Sequence, residues 1–114
     1  REEYHEKLVC RYFPDKHAKV IIISDDTMEP FYELGDIVGT DDFTTHIALD
    51  HLIGCNCIIE TVSHDILVRK VISRPESECY NLIGTNQASR DPLLIIPNVK
   101  ILKCGKVIWH RKKS

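Results

Sequence analysis

A chain of 114 residues, 43% apolar and 28% charged, has the balance of a single globular domain with one modest core. A formal charge of −2 and a pI of about 6.3 argue against a nucleic-acid grip, which needs a basic face. No apolar run approaches the roughly 18 residues of a membrane span, and the odd count of five cysteines does not suggest a secreted disulfide scaffold.

Residues 1–17 mix charge with Tyr4, Leu8 and Tyr12, spaced four apart, and read as an N-terminal arm or linker, helical or extended. Pro14-Asp15 ends it. Residues 18–114 carry strand signals: β-branched, apolar runs over 20–24, 36–41, 54–62, 66–73, 81–85, 93–96, 99–104 and 106–111. The stretch 43–52 is ambiguous and can hold a turn of helix. Ser63-His64-Asp65 suits a hairpin turn, and Gly105 a kink or bulge. Short strands with few helix patterns predict a mainly β domain, antiparallel in most of its pairings.

The cysteines, Cys10, Cys55, Cys57, Cys79 and Cys104, read as small buried side chains in a reducing compartment. Cys55 and Cys57 are too close for a zinc knuckle, and the six histidines show no metal spacing. No metal or cofactor is expected. Asp25, Asp26, Glu29, Glu33 and Asp36 form an acidic cluster whose spacing matches no calcium loop.

The chemistry concentrates between two apolar runs. Lys19-Val20-Ile21-Ile22-Ile23 leads into Ser24-Asp25-Asp26-Thr27-Met28-Glu29-Pro30, and Gly35-Asp36-Ile37-Val38 restarts a strand. A polar loop held by flanking core is where sites are built. Downstream, Ile66-Leu67-Val68-Arg69-Lys70-Val71-Ile72 places two basic residues inside an apolar strand. A hydroxyl needs a base to become a nucleophile, and a buried lysine can be one. Arg69 does not lose its proton, so Lys70 is the candidate base and Thr27 the candidate nucleophile. Ordinary alternatives are a turn threonine and a solvated strand lysine.

The pattern Asp25-Asp26-Thr27-Met28-Glu29-Pro30 followed by Gly35-Asp36-Ile37-Val38 resembles the nucleophile motif of the C-terminal domains of LexA-type and phage CI-type repressors and of UmuD-type proteins. Their usual form is Gly-Asp-Ser-Met-x-Pro, then Gly-Asp and an apolar strand, so Thr27 stands for the serine and Asp25 for a glycine. The resemblance spans roughly residues 18–110. It implies a small, twisted fold of paired β-sheets and a Val-Lys-Arg-like strand for the base, matched here by Val68-Arg69-Lys70. Backbone amides near Thr27 and Met28 would be the oxyanion donors. No Ala-Gly or Cys-Gly cleavage dipeptide precedes Thr27.

The added γ-methyl of threonine stiffens χ1 and misplaces the hydroxyl, so peptidase activity is expected to be weak or lost. The resemblance then implies a dimerisation and regulatory domain of a prophage-type repressor in the cytoplasm, linked to the SOS response. Its operator DNA would be bound through a helix-turn-helix outside this chain, with a RecA-type filament as a further partner. Ile101, Val107 and Trp109 are the expected anchors of a homodimer. The alternatives are an active self-cleaving Thr-Lys peptidase and a relative of the signal peptidases.

Overall fold

The computed structural model describes residues 17–45, 49–76 and 78–113. Residues 1–16, and with them Cys10 and nearly all of the expected arm, lie outside the described residues, as does His46. The fold is mainly β. β1 (Lys19–Ile22), β2 (Ile37–Thr40) and β7 (Trp109–Arg111) form an antiparallel sheet in the order β1-β2-β7. β3 (Asn56–Thr61), β4 (Ile66–Glu76), β5 (Cys79–Ile83) and β6 (Ile95–Lys106) close into a four-stranded barrel. The ambiguous stretch supplies one 3-10 turn, Asp50–Leu52.

Alternation along the strands separates two cores. Cys57, Ile59, Val71, Tyr80, Leu82 and Cys104 point into the barrel, joined by Leu49 and Leu52. Ile58 and Val68, on the outer face, pack against Ile23, Met28, Tyr32 and Val38 from the sheet side. β3 is therefore covered on both faces, which is why its sequence is a continuous apolar run rather than an alternating one. Three of the cysteines, Cys57, Cys79 and Cys104, are buried and Cys55 half-buried, and none of these four is in a disulfide. Contact with the Cys104 thiol, together with burial, pushes the Cys57 thiol far up, so it stays protonated and packs as an apolar group.

The expected hairpin forms. His64 takes φ of 69°, its N–H reaches Thr61 O at 2.8 Å, and Thr61 N–H reaches Asp65 O at 3.0 Å. The C-terminal half differs from expectation. The runs 93–96 and 99–104 belong to one strand, β6, interrupted by an extra residue. Tyr80 pairs with Val99 and Leu82 with Ile96, so three steps on β6 face two on β5, and Pro97-Asn98 form the bulge. Gly105 is no kink: it pairs with Ile58 inside β6. A Cβ there would come within 2.6 Å of Thr40 Oγ1, so the glycine lets barrel and sheet approach closely.

The C-terminal end is tied down through Asp36, which is 1% exposed. Its carboxylate accepts from Glu33 N at 2.9 Å, Lys113 N at 3.0 Å and His110 Nε2 at 2.8 Å. Burial by itself raises this carboxyl; the two backbone donors and His110 outweigh it and bring the pKa from 3.8 down to about 2. A depressed folded-state pKa contributes stability above the unfolded value and loses it as pH falls through the folded one. Between about pH 4 and pH 2 the domain is therefore expected to lose about 2 kcal/mol through this group. Urea unfolding across that range checks it: Asp36→Asn should remove this part of the acid dependence, and an unchanged slope would reject the assignment.

Candidate functional site

The loop between β1 and β2 is pinched at its base by two backbone bonds, Ile23 N to Asp36 O at 2.8 Å and Gly35 N to Ile23 O at 2.9 Å. Gly35 turns there with φ of +90°, a conformation that favours glycine. Within the loop Tyr32 N bonds Met28 O at 3.0 Å, and the Glu29–Pro30 peptide is cis. Met28, 1% exposed, anchors the loop in the core shared by sheet and barrel.

A second segment, following β5, clamps the loop. Asn86 N donates to Thr27 O at 2.9 Å, and Asn86 Nδ2 to Asp26 O at 2.9 Å. Thr85 Oγ1 donates to Glu29 O at 3.3 Å, and Ser89 Oγ to Asp26 Oδ1 at 2.6 Å. Gly84 lies flat against Thr27, where a Cβ would fall 2.4 Å from Thr27 O and 2.9 Å from Thr27 Cβ.

Thr27 is fully buried. Its Oγ1 donates to Asp25 Oδ1 at 2.6 Å, and its N–H donates to the same oxygen at 3.0 Å. The other oxygen of Asp25 lies 3.8 Å from Arg69 Nη2. Arg69 is 1% exposed; its Nε donates to Leu93 O at 3.0 Å and its Nη1 to Val68 O at 2.7 Å. Nη2 has no hydrogen-bond partner among the described residues. Burial lowers the guanidinium's pKa, opposed by the charges of Asp25 and Asp91.

The structure sets Arg69, rather than the expected Lys70, against the carboxylate that Thr27 bonds. Arg69 faces Cys57 across the ladder and shares its barrel-facing side, whereas Lys70 pairs with Asn56 and Ile83 and projects from the opposite face. Lys70 lines a separate pocket with Tyr32, Asn56 and Lys106. The hydroxyl, a carboxylate and a guanidinium are what this cleft brings together, and a guanidinium cannot take a proton. Of the two backbone amides near Thr27 and Met28, that of Thr27 already bonds Asp25.

The acidic cluster disperses: Asp25 faces Thr27 and Arg69, Asp26 accepts from Ser89, and Asp36 is bound by His110. No group of three or more His, Cys, Asp or Glu is placed to hold a metal among the described residues. The expected dimer anchors are also engaged within the chain. Ile101 packs on the barrel core, Val107 on the core between barrel and sheet, and Trp109 over Gly39 beside Val20 and Ile37. Asp25, Gly84 and Asn86 were not legible as site residues, though the position of Asp25 in the motif was a usable signal.

No family model, curated protein or solved structure matches this chain.

Proposed function

We propose that this chain is the C-terminal regulatory and dimerisation domain of a LexA/CI-like transcriptional repressor whose peptidase-like site is silent. One observation carries it. The two motifs of the resemblance, the Thr27-Met28-Glu29-Pro30 loop and the basic strand Val68-Arg69-Lys70, are far apart in sequence yet meet at Asp25. They meet with threonine for the hydroxyl and arginine for the base, a pair that can hold a loop but not activate a nucleophile. The same geometry counts against an active Thr-Lys peptidase.

Operator DNA would be bound by a helix-turn-helix outside the chain, with the dimer setting half-site spacing. The setting that the resemblance implies is cytoplasmic. Dimerisation would use β7, the last strand of the three-stranded sheet among the described residues, with Ile108, 48% exposed, beside it. Sedimentation velocity at high micromolar concentration is expected to give a dimer, and Ile108→Glu a monomer with an unchanged melt. A strict monomer for the unaltered chain would reject the reading.

A further inference from the structure

The motif loop is fastened a second time, at its neck, by the segment that begins in β7. Asp36 closes the neck: its N–H bonds Glu33 O at 2.9 Å and its carbonyl accepts from Ile23 N at 2.8 Å. Its carboxylate is shared between two parts of the chain. Oδ2 accepts from Glu33 N, within the loop, at 2.9 Å and from His110 Nε2 at 2.8 Å, while Oδ1 accepts from Lys113 N at 3.0 Å. The His110 ring stands at 79° to that of Tyr32, in an edge contact with centroids 5.0 Å apart. Tyr32 N in turn bonds the carbonyl of Met28, next to Thr27, at 3.0 Å. The Lys113 side chain lies along Gly35, its Cδ 3.0 Å from where a Cβ would stand.

The two ends of this segment are held differently. Trp109 packs over Gly39 beside Val20 and Ile37, and β7 pairs with β2 from Trp109 to Arg111. Beyond that root, Arg111, Lys112 and Lys113 are exposed. A stretch with few buried apolar contacts opens at less cost than the core does. Release of His110 to Lys113 would strip two donors from a carboxylate that is 1% exposed. A buried charge left short of donors is strongly unfavourable. Asp36 would then turn to water, giving up its bond to Glu33 N, and the neck that it closes would open with it.

We propose that residues 110–113 are a strap, rooted at Trp109, whose seating on Asp36 and Tyr32 holds the neck of the Thr27 loop closed, so that withdrawing the strap loosens the loop. Thr27 is fully buried, so access to it requires something to move. Thr85, Asn86 and Ser89 clamp the first half of the loop, and the strap holds the second. Coupling of this kind is reciprocal: whatever orders the loop also seats the strap. The inference concerns contacts within one chain and does not rest on the repressor reading.

Hydrogen exchange followed by NMR on the full chain tests it. In His110→Ala the amides of Ile23, Tyr32, Gly35 and Asp36, which bond in and around the neck, should exchange about tenfold faster, as expected for loss of one hydrogen bond to a charged group. Amides of the β3–β4 ladder should change less than about twofold. Lys113→Pro removes the N–H on Asp36 Oδ1 and the side chain over Gly35 without touching the core, and should act in the same way. His110→Gln keeps a donor and should recover part of the protection. Lys112→Ala, exposed and making none of these contacts, should leave the neck as it is. Equal acceleration of barrel and neck would mean a general loss of stability and overturns the strap. So does an unchanged neck in either His110→Ala or Lys113→Pro, or a His110→Gln neck as fast as that of His110→Ala.

Discussion

Exchange of Thr27→Ser together with Arg69→Lys is expected to turn an inert hydroxyl into one that a fluorophosphonate probe modifies, while the unaltered chain stays unlabelled. In the native site the hydroxyl donates to Asp25 Oδ1 at 2.6 Å, and the cation on the other oxygen of that carboxylate, at 3.8 Å, is a guanidinium that never serves as a base. Thr27→Ser alone removes the γ-methyl but leaves no base, so it should remain unlabelled. Arg69→Lys alone supplies an amine but keeps the stiff threonine, so labelling should be slow. A positioned base is worth about two to four orders of magnitude in rate, and the double variant should gain on that scale.

The pH profile carries the finer test. A lysine at position 69 would lie near Asp25, whose negative charge favours the protonated amine. The double variant should therefore label only at alkaline pH, towards the usual lysine value of about 10. Adding Asp25→Gly removes that charge and should shift the profile down, because burial alone lowers a lysine pKa. Mass spectrometry locates the adduct. Labelling of Thr27 in the unaltered chain, or a well-folded triple variant that never labels, would sink the assignment of Arg69 to the base position.

The second large effect is structural. Gly84→Ala should destabilise the domain by about 3 kcal/mol, at the upper end of what overpacking costs. The added Cβ meets three neighbours at once: Thr27 O at 2.4 Å, Leu94 Cδ1 at 2.7 Å and Thr27 Cβ at 2.9 Å. Leu94 can rotate aside, but a carbonyl oxygen held by Asn86 N cannot move without the loop moving with it. Relief therefore requires loosening the clamp on residues 26–29. Urea unfolding should give the loss, and hydrogen exchange should show faster opening at Asn86, whose amide bonds Thr27 O. A variant as stable as the parent would mean that the loop is not held against β5 in this way.

Much of the scaffold was readable from residue order. β-branched runs broken by turn residues fixed the class as mainly β, the polar tripeptide at 63–65 located the hairpin, and Gly35-Asp36 marked where the motif loop re-enters the sheet. These are local matters, decided by propensity and turn chemistry over a few residues. The bulge at Pro97-Asn98 was not readable, because β6 is one strand only by virtue of ladders on both sides, to β3 and β5.

Which basic residue attends Thr27 was a tertiary decision. Arg69 and Lys70 are neighbours in sequence, and both sit in an apolar strand that can be read with either face inward. Pairing with β3 sets the register, and a one-residue step sends a side chain to the opposite face. That single step places Arg69 beside Asp25 and sends Lys70 to the pocket with Tyr32 and Lys106. Residue order alone determined that a hydroxyl loop and a basic strand exist; only the strand pairing of the folded barrel determined which basic residue lies beside Asp25, because strand alternation makes adjacent residues opposites.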